Sequence, residues 1–167
     1  MKKTILSEQS LFFGEVLMPK GFEINSLELS KSILDSLYVN KSFLLSKDWD
    51  KLNTYVMEHT KLEHNLSLIN TKSWGNIYTP DEKTELISHV DLMDLKHSPD
   101  YILLYGINTV DCFVEIFYDD SRRKGKSHTI KLKDNMFIMF PSTNMYKINN
   151  NQKNSLNFIE TITYEYM

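Results

Sequence analysis

The sequence contains no alanine and a single cysteine, Cys112. One thiol excludes an internal disulfide and any cluster of thiolate metal ligands. No apolar run approaches the roughly 20 residues that cross a bilayer as a helix, so no membrane partner is expected. Nor does any repeat, low-complexity stretch or linker divide the chain. The opening MKKTILSEQSLFFGEVL carries two lysines, but Glu8 and Gln9 interrupt it before a signal-peptide core could form. The expectation is a protein that is not secreted by a signal peptide and works in a cytoplasm or in an assembly made there.

Charge is close to balanced. The 19 Lys and Arg against 22 Asp and Glu give a net −3, which provides no general drive toward nucleic acid. Core-forming material is plentiful instead: 41% hydrophobic and 12% aromatic residues exclude disorder, and 167 residues suit one domain. The missing alanine goes with abundant Asn, Lys, Ile and Ser, as in AT-rich coding sequences such as some phage and endosymbiont genomes.

Two hydrophobic periods split the domain into an N-terminal part, 1–65, and a β-rich part, 66–167. The first part holds a strand expected at Leu11–Met18 and two helices. One helix opens near Asn25-Ser26, with Leu29, Ile33 and Leu37 recurring every four residues and Leu27, Leu34 and Tyr38 widening the stripe. The other starts at Ser46, a good N-cap, followed by Asp48 and Asp50 and the apolar line Trp49, Leu52, Val56, His59. From about Leu66 the period falls to two. Strands are expected at Leu66–Asn70, Gly75–Tyr78, Glu85–His89, Tyr101–Ile107, Cys112–Tyr118, His128–Leu132, Met136–Phe140, Tyr146–Ile148 and Leu156–Tyr166, parted by turn signals. Many short antiparallel strands after two helices predict a mainly β (α+β) jelly roll with the helices packed on one sheet. Residues 112–118 are apolar on both faces except for Glu115, so a cover on both sides is expected, from the helices or from another subunit.

His89-Val90-Asp91 ends one of these strands. Alternation sends both side chains the same way, and an imidazole with a carboxylate is half of the two-histidine, one-carboxylate set that holds Fe(II). The plainer reading is a polar strand end. Further on, NMFIMFPSTNMYKINNNQKNSLNFI (residues 135–159), with SWGNIY and PDYILLYGI upstream, resembles the closing strands of the Fe(II)/2-oxoglutarate-dependent oxygenases, which have a double-stranded β-helix. The likeness covers roughly residues 74 to 160, with a phage and bacterial branch as the best match. There an apolar strand ends in Phe-Pro-Ser and is followed by a histidine and then an arginine.

Carried over by that resemblance, the metal ligands would be His89, Asp91 and Tyr146, and the group holding the cosubstrate would be Lys153. A second alignment, on HSPDYILLYG, would move the proximal pair near His97, where no carboxylate has the spacing. Two of the family's residues are changed. Lysine for arginine keeps the charge but loses the two-donor fork. Tyrosine for histidine replaces a lone pair available at pH 7 with a phenol that must first lose a proton near pH 10. The expectation is therefore a degenerate site with no cofactor and no catalytic residue, on a jelly roll acting as a structural or assembly subunit. The partners implied are further protein subunits, as a homo-oligomer or in a phage virion (neck or tail), and the location is the virion or host cytoplasm. The alternative is a divergent hydroxylase using Fe(II) and 2-oxoglutarate. Arg122, Arg123, Lys124 and Lys126 form the densest basic run, read as a docking loop or as a solvated hairpin tip. His128, His59 and His64 read as packing or surface histidines.

Overall fold

A computed structural model of the chain describes residues 8–39, 46–118 and 125–167. Its elements run β1 (Phe12–Glu15), α1 (Ser26–Val39), α2 (Lys47–His64), β2 (Leu68–Tyr78), β3 (Tyr101–Ile107), β4 (Cys112–Phe117), β5 (Ser127–Leu132), β6 (Met136–Pro141), β7 (Met145–Asn150) and β8 (Asn157–Tyr166). They form three layers: the two helices, a five-stranded sheet in the order β1-β6-β3-β8-β2, and a three-stranded sheet in the order β5-β4-β7. All strand pairs are antiparallel, so the predicted jelly roll is the observed architecture. No helix among the described residues is long and apolar enough to cross a membrane.

Local chemistry sets the helix ends. Asn25 caps α1, its Oδ1 accepting from the amides of Leu27 and Glu28. Ser46 caps α2 through the amide of Trp49, and Asn65 closes it in the left-handed region at φ 53°. The buried stripe of α1 is narrower than its periodicity implies. Leu29 and Ile33 are fully buried, whereas Leu27, Leu34 and Leu37 face solvent. Tyr38's side chain lies outside the described residues. The reason is steric: α1 meets the sheet at Gly75, where an added Cβ would lie 2.2 Å from Ile33 Cγ1. This close approach lets two leucine-sized residues seal the contact. Gly75→Ala is expected to cost about 1–3 kcal/mol, read as a lower urea midpoint.

Two cores result. Leu29, Ile33, Leu52 and Val56 pack on Leu103, Tyr105, Ile162 and Tyr164, while Ile102, Leu104, Val114, Ile138, Ile148 and Ile159 fill the space between the sheets. The central strand β3 feeds both, which is why YILLYGI is apolar throughout and buried at every position. Several expected boundaries move. The strands expected at 66–70 and 75–78 are one strand, β2, with a bulge between Asn70 and Lys72. The segment 85–89 forms no strand; it meets the backbone of β7 at the bridge Ile87–Tyr146, with a second bridge, Lys83–Asn149, just before it. The first strand is only Phe12–Glu15.

A polar clasp closes one end of the barrel. Asn150 Nδ2 donates to the carbonyls of Tyr78 and Thr79, and Asn157 Nδ2 donates to Asn150 Oδ1 and to the carbonyl of Val110. Both asparagines are fully buried. The chain ends of β2, β7 and β8 and the turn before β4 are thereby tied together.

Candidate functional site

The other end of the barrel brings together two of the residues singled out by sequence, His89 and Tyr146. Tyr146 is the second residue of β7, and the bridge from Ile87 brings the segment ending at His89 beside it. His89 Nε2 and Tyr146 Oη are hydrogen-bonded at 2.9 Å, and their rings lie 5.8 Å apart at 23°. Trp74 from β2 leans on the imidazole at 5.4 Å, and Phe140 meets the phenol edge-on at 5.3 Å. The Phe140-Pro141-Ser142 stretch shapes this end. The Ser142 hydroxyl donates to the Pro99 carbonyl and its amide to the Asp100 carbonyl, fixing the β6–β7 turn against the lead-in to β3.

Burial governs the electrostatics. The Tyr146 phenol, 2% exposed, is held far above its usual pKa because its anion would be desolvated. Burial also lowers the pKa of His89, so its imidazole is neutral at pH 7. The bond therefore joins two neutral groups. In either tautomer it engages Nε2, as acceptor of the phenol proton or as carrier of its own.

The remaining candidates lie elsewhere. Asp91 is exposed, and its Oδ1 accepts from the Met93 amide. Lys153 is exposed on the loop between β7 and β8. On β8 the side that shares the inter-sheet core with Ile159 carries Asn157, Thr161 and Thr163, and no cation. His97 pairs with Asp94 in a surface turn, His59 stacks on Tyr55, and His64 lies against Phe12. His128 is exposed at the rim of a cavity of about 270 Å³ shared with Leu11, Ile116 and Phe140, where a partly buried packing histidine was expected. Lys126 is exposed, while Arg122, Arg123 and Lys124 lie outside the described residues.

These donors do not fit a ferrous ion. Among the described residues no three His, Cys, Asp or Glu side chains converge as a metal site would require. One imidazole is already hydrogen-bonded, and a phenol held protonated by burial is a poor ligand for a divalent metal. Cys112 is buried between the sheets, its thiol pushed up to about 12, so it supplies no thiolate.

One buried residue escaped the sequence reading. Glu160 on β8 is fully buried on the helix side, where its Oε1 accepts from Ser73, whose hydroxyl in turn accepts from the Trp49 indole at 2.6 Å. Its Oε2 has no hydrogen-bond partner among the described residues, and desolvation raises its pKa to about 8. The available signal was an acid at an inward position of a strand, between Phe158 and Ile162.

No protein-family model matches the chain, and no curated protein matches it in sequence. Solved structures do share its fold. One is a prolyl-4-hydroxylase from Pseudomonas putida, with a TM-score of 0.67 and 9% identity over 95% of this chain and 94% of that one. A viral collagen prolyl hydroxylase from Paramecium Bursaria Chlorella virus-1, solved as its 2OG complex, gives 0.64 and 12% over 94% and 96%. HygX from Streptomyces hygroscopicus, with nickel and 2-oxoglutarate bound, gives 0.62 and 11% over 95% and 83%. At such identities the likeness is one of architecture: the chain has the double-stranded β-helix fold of the Fe(II)/2-oxoglutarate oxygenases.

Proposed function

We propose that this protein uses the oxygenase fold to bind other proteins rather than to activate oxygen. The observation that carries the reading is the His89–Tyr146 hydrogen bond, which sits where the resemblance puts two of the three iron ligands. Two further features support it: Asp91 faces solvent, and the inter-sheet side of β8 has no cation to hold a dicarboxylate. In its finer form the proposal is an assembly subunit of a phage particle, supported by the alanine-free, Asn-rich composition. Fold alone decides nothing here.

A second reading has its own support, because HygX carries nickel and 2-oxoglutarate in the same fold. A divergent hydroxylase would need Asp91 turned inward and Lys153 brought to the cosubstrate. Anaerobic titration with Fe(II) and 2-oxoglutarate separates the two. The wild-type protein is expected to show no visible charge-transfer band at micromolar iron. Tyr146→His sets a second imidazole beside His89 and is expected to tighten Fe(II) binding by about tenfold or more. A band from the unmodified protein would overturn the binding reading.

A further inference from the structure

The cover expected over the outer face of β4 is not supplied by the helices. These pack on the five-stranded sheet, and the outer face of the three-stranded sheet has no layer over it among the described residues. Its surface follows from the register. Cys112, Val114 and Ile116 point into the inter-sheet core, so Phe113, Glu115 and Phe117 point out. Beside them on β7 stand Asn149, Lys147 and Met145, each opposite one of the three.

The two charges in the middle row are direct cross-strand neighbours, yet they do not pair. Glu115 Oε1 accepts from Ser127, while Lys147 Nζ lies 6.0 Å from the centre of the Phe117 ring. Lys131 on β5 is different: it is neutralised by Asp111 at 3.0 Å and lies over Phe113. The face thus offers two half-buried phenylalanines and one acid beside one base, each lacking an ion-pair partner among the described residues.

We propose that this face is a self-association surface whose occupant is a second copy of the same chain. The proposal extends the binding reading above and names the partner. The argument is charge complementarity under two-fold symmetry. A face-to-face dimer has its axis in the plane between the two sheets. An axis running along the strands, midway between β4 and β7, sets Glu115 over Lys147 of the partner subunit and Phe117 over Met145 of the partner subunit. Each contact occurs twice. An axis running across the strands through the middle row would instead stack Glu115 on Glu115 and Lys147 on Lys147. Only the first is self-complementary, and it keeps the strand directions within the range in which sheets pack face to face.

Size sets the strength. Three strands about 4.8 Å apart and six residues long make a face of roughly 15 by 20 Å. That is small beside the about 800 Å² per partner of a standard interface. The association is therefore weak and concentration-dependent, as suits a subunit that adds one contact to a larger assembly.

Sedimentation velocity on the full chain tests this directly. The wild-type protein is expected to shift from monomer to dimer as its concentration rises from micromolar to millimolar. Glu115→Lys and Lys147→Glu each bring like charges together twice, and each is expected to weaken the dimer by about tenfold or more. An equimolar mixture of the two variants restores both opposite-charge contacts and is expected to form a heterodimer at least as readily as the wild type. Both positions are half-exposed, and thermal melts establish that the variants fold. A wild-type protein that stays monomeric throughout overturns the proposal. So does a dimer that both variants leave intact, or a monomer that sediments faster only with an added oligonucleotide or a different protein. Iron binding plays no part in these readouts, so failure here is separable from failure of the binding reading.

Discussion

Between about pH 4.5 and about pH 8 the protein is expected to lose stability as the pH rises, and Glu160 is the reason. In the unfolded chain this carboxyl ionises near 4.5, whereas in the folded protein burial holds its proton to about 8. Across that window the folded state binds more protons than the unfolded state, so the slope of stability with pH is negative. The stabilisation is complete below the lower value and gone above the upper one. At about 1.4 kcal/mol per tenfold change in the proton equilibrium, the full swing is on the order of 5 kcal/mol. That is a large share of the stability of a domain this size. The neighbours do not offset it. Tyr105 and Tyr164 are held protonated by burial. His89 works in the opposite sense, because its lowered pKa adds stability as the pH rises through the ordinary histidine range.

Glu160→Gln isolates the effect. The amide is neutral at every pH and can still accept from Ser73 through its oxygen. The variant is expected to lose the downward slope and keep only the shallower upward one from His89. Above pH 8 it should be the more stable protein by several kcal/mol. Urea denaturation of both proteins at about pH 5 and about pH 9 measures this. Equal slopes would show that Glu160 is ionised in the folded state.

Gly106→Ala is expected to destabilise the protein by about 3 kcal/mol or more. A Cβ there would lie 2.2 Å from the carbonyl oxygen of Lys133 and 2.7 Å from Thr109 Oγ1. The first obstacle is backbone, which cannot rotate away as a side chain can. Relief requires the end of β3 to move from the turn between β5 and β6. That movement would break the bond from the Asn135 amide to the Gly106 carbonyl, which in turn loosens Asn135's hold on the Val16 amide. Gly14→Ala is the control, since its Cβ would meet only Phe137 at 3.8 Å, an ordinary contact. Comparable losses from the two substitutions would refute the steric account.

Much of the fold was legible because alternation and capping are local. Ser46 caps α2 as its side chain dictates, and the alternation of Cys112, Val114 and Ile116 places β4 on the inter-sheet core. The nearness of His89 and Tyr146 was also legible, through the resemblance. What escaped depends on contacts distant in sequence. Nothing in LELSKSILDSL tells that Gly75 draws α1 in so closely that Leu37 is left in solvent. The segment 85–89 alternates as a strand does and runs beside the open edge of β7, yet it meets that edge at a single bridge, Ile87–Tyr146, rather than in a ladder. Asp91 shares its strand parity with His89, yet the chain turns at that point and its carboxylate caps a local amide. Glu160 was invisible for a different reason. Whether an acid at such a position is buried depends on which sheet the helices cover.

The clasp of Asn150 and Asn157 has a consequence for how such a chain can diverge. It fastens the barrel at the end of β7 away from Tyr146, with side-chain amides that donate to Tyr78, Thr79, Val110 and, from Asn157, to Asn150 rather than to His89 or Tyr146. Substitutions around His89 can accumulate without loosening that knot. A scaffold anchored at its base keeps its shape whatever chemistry its rim carries.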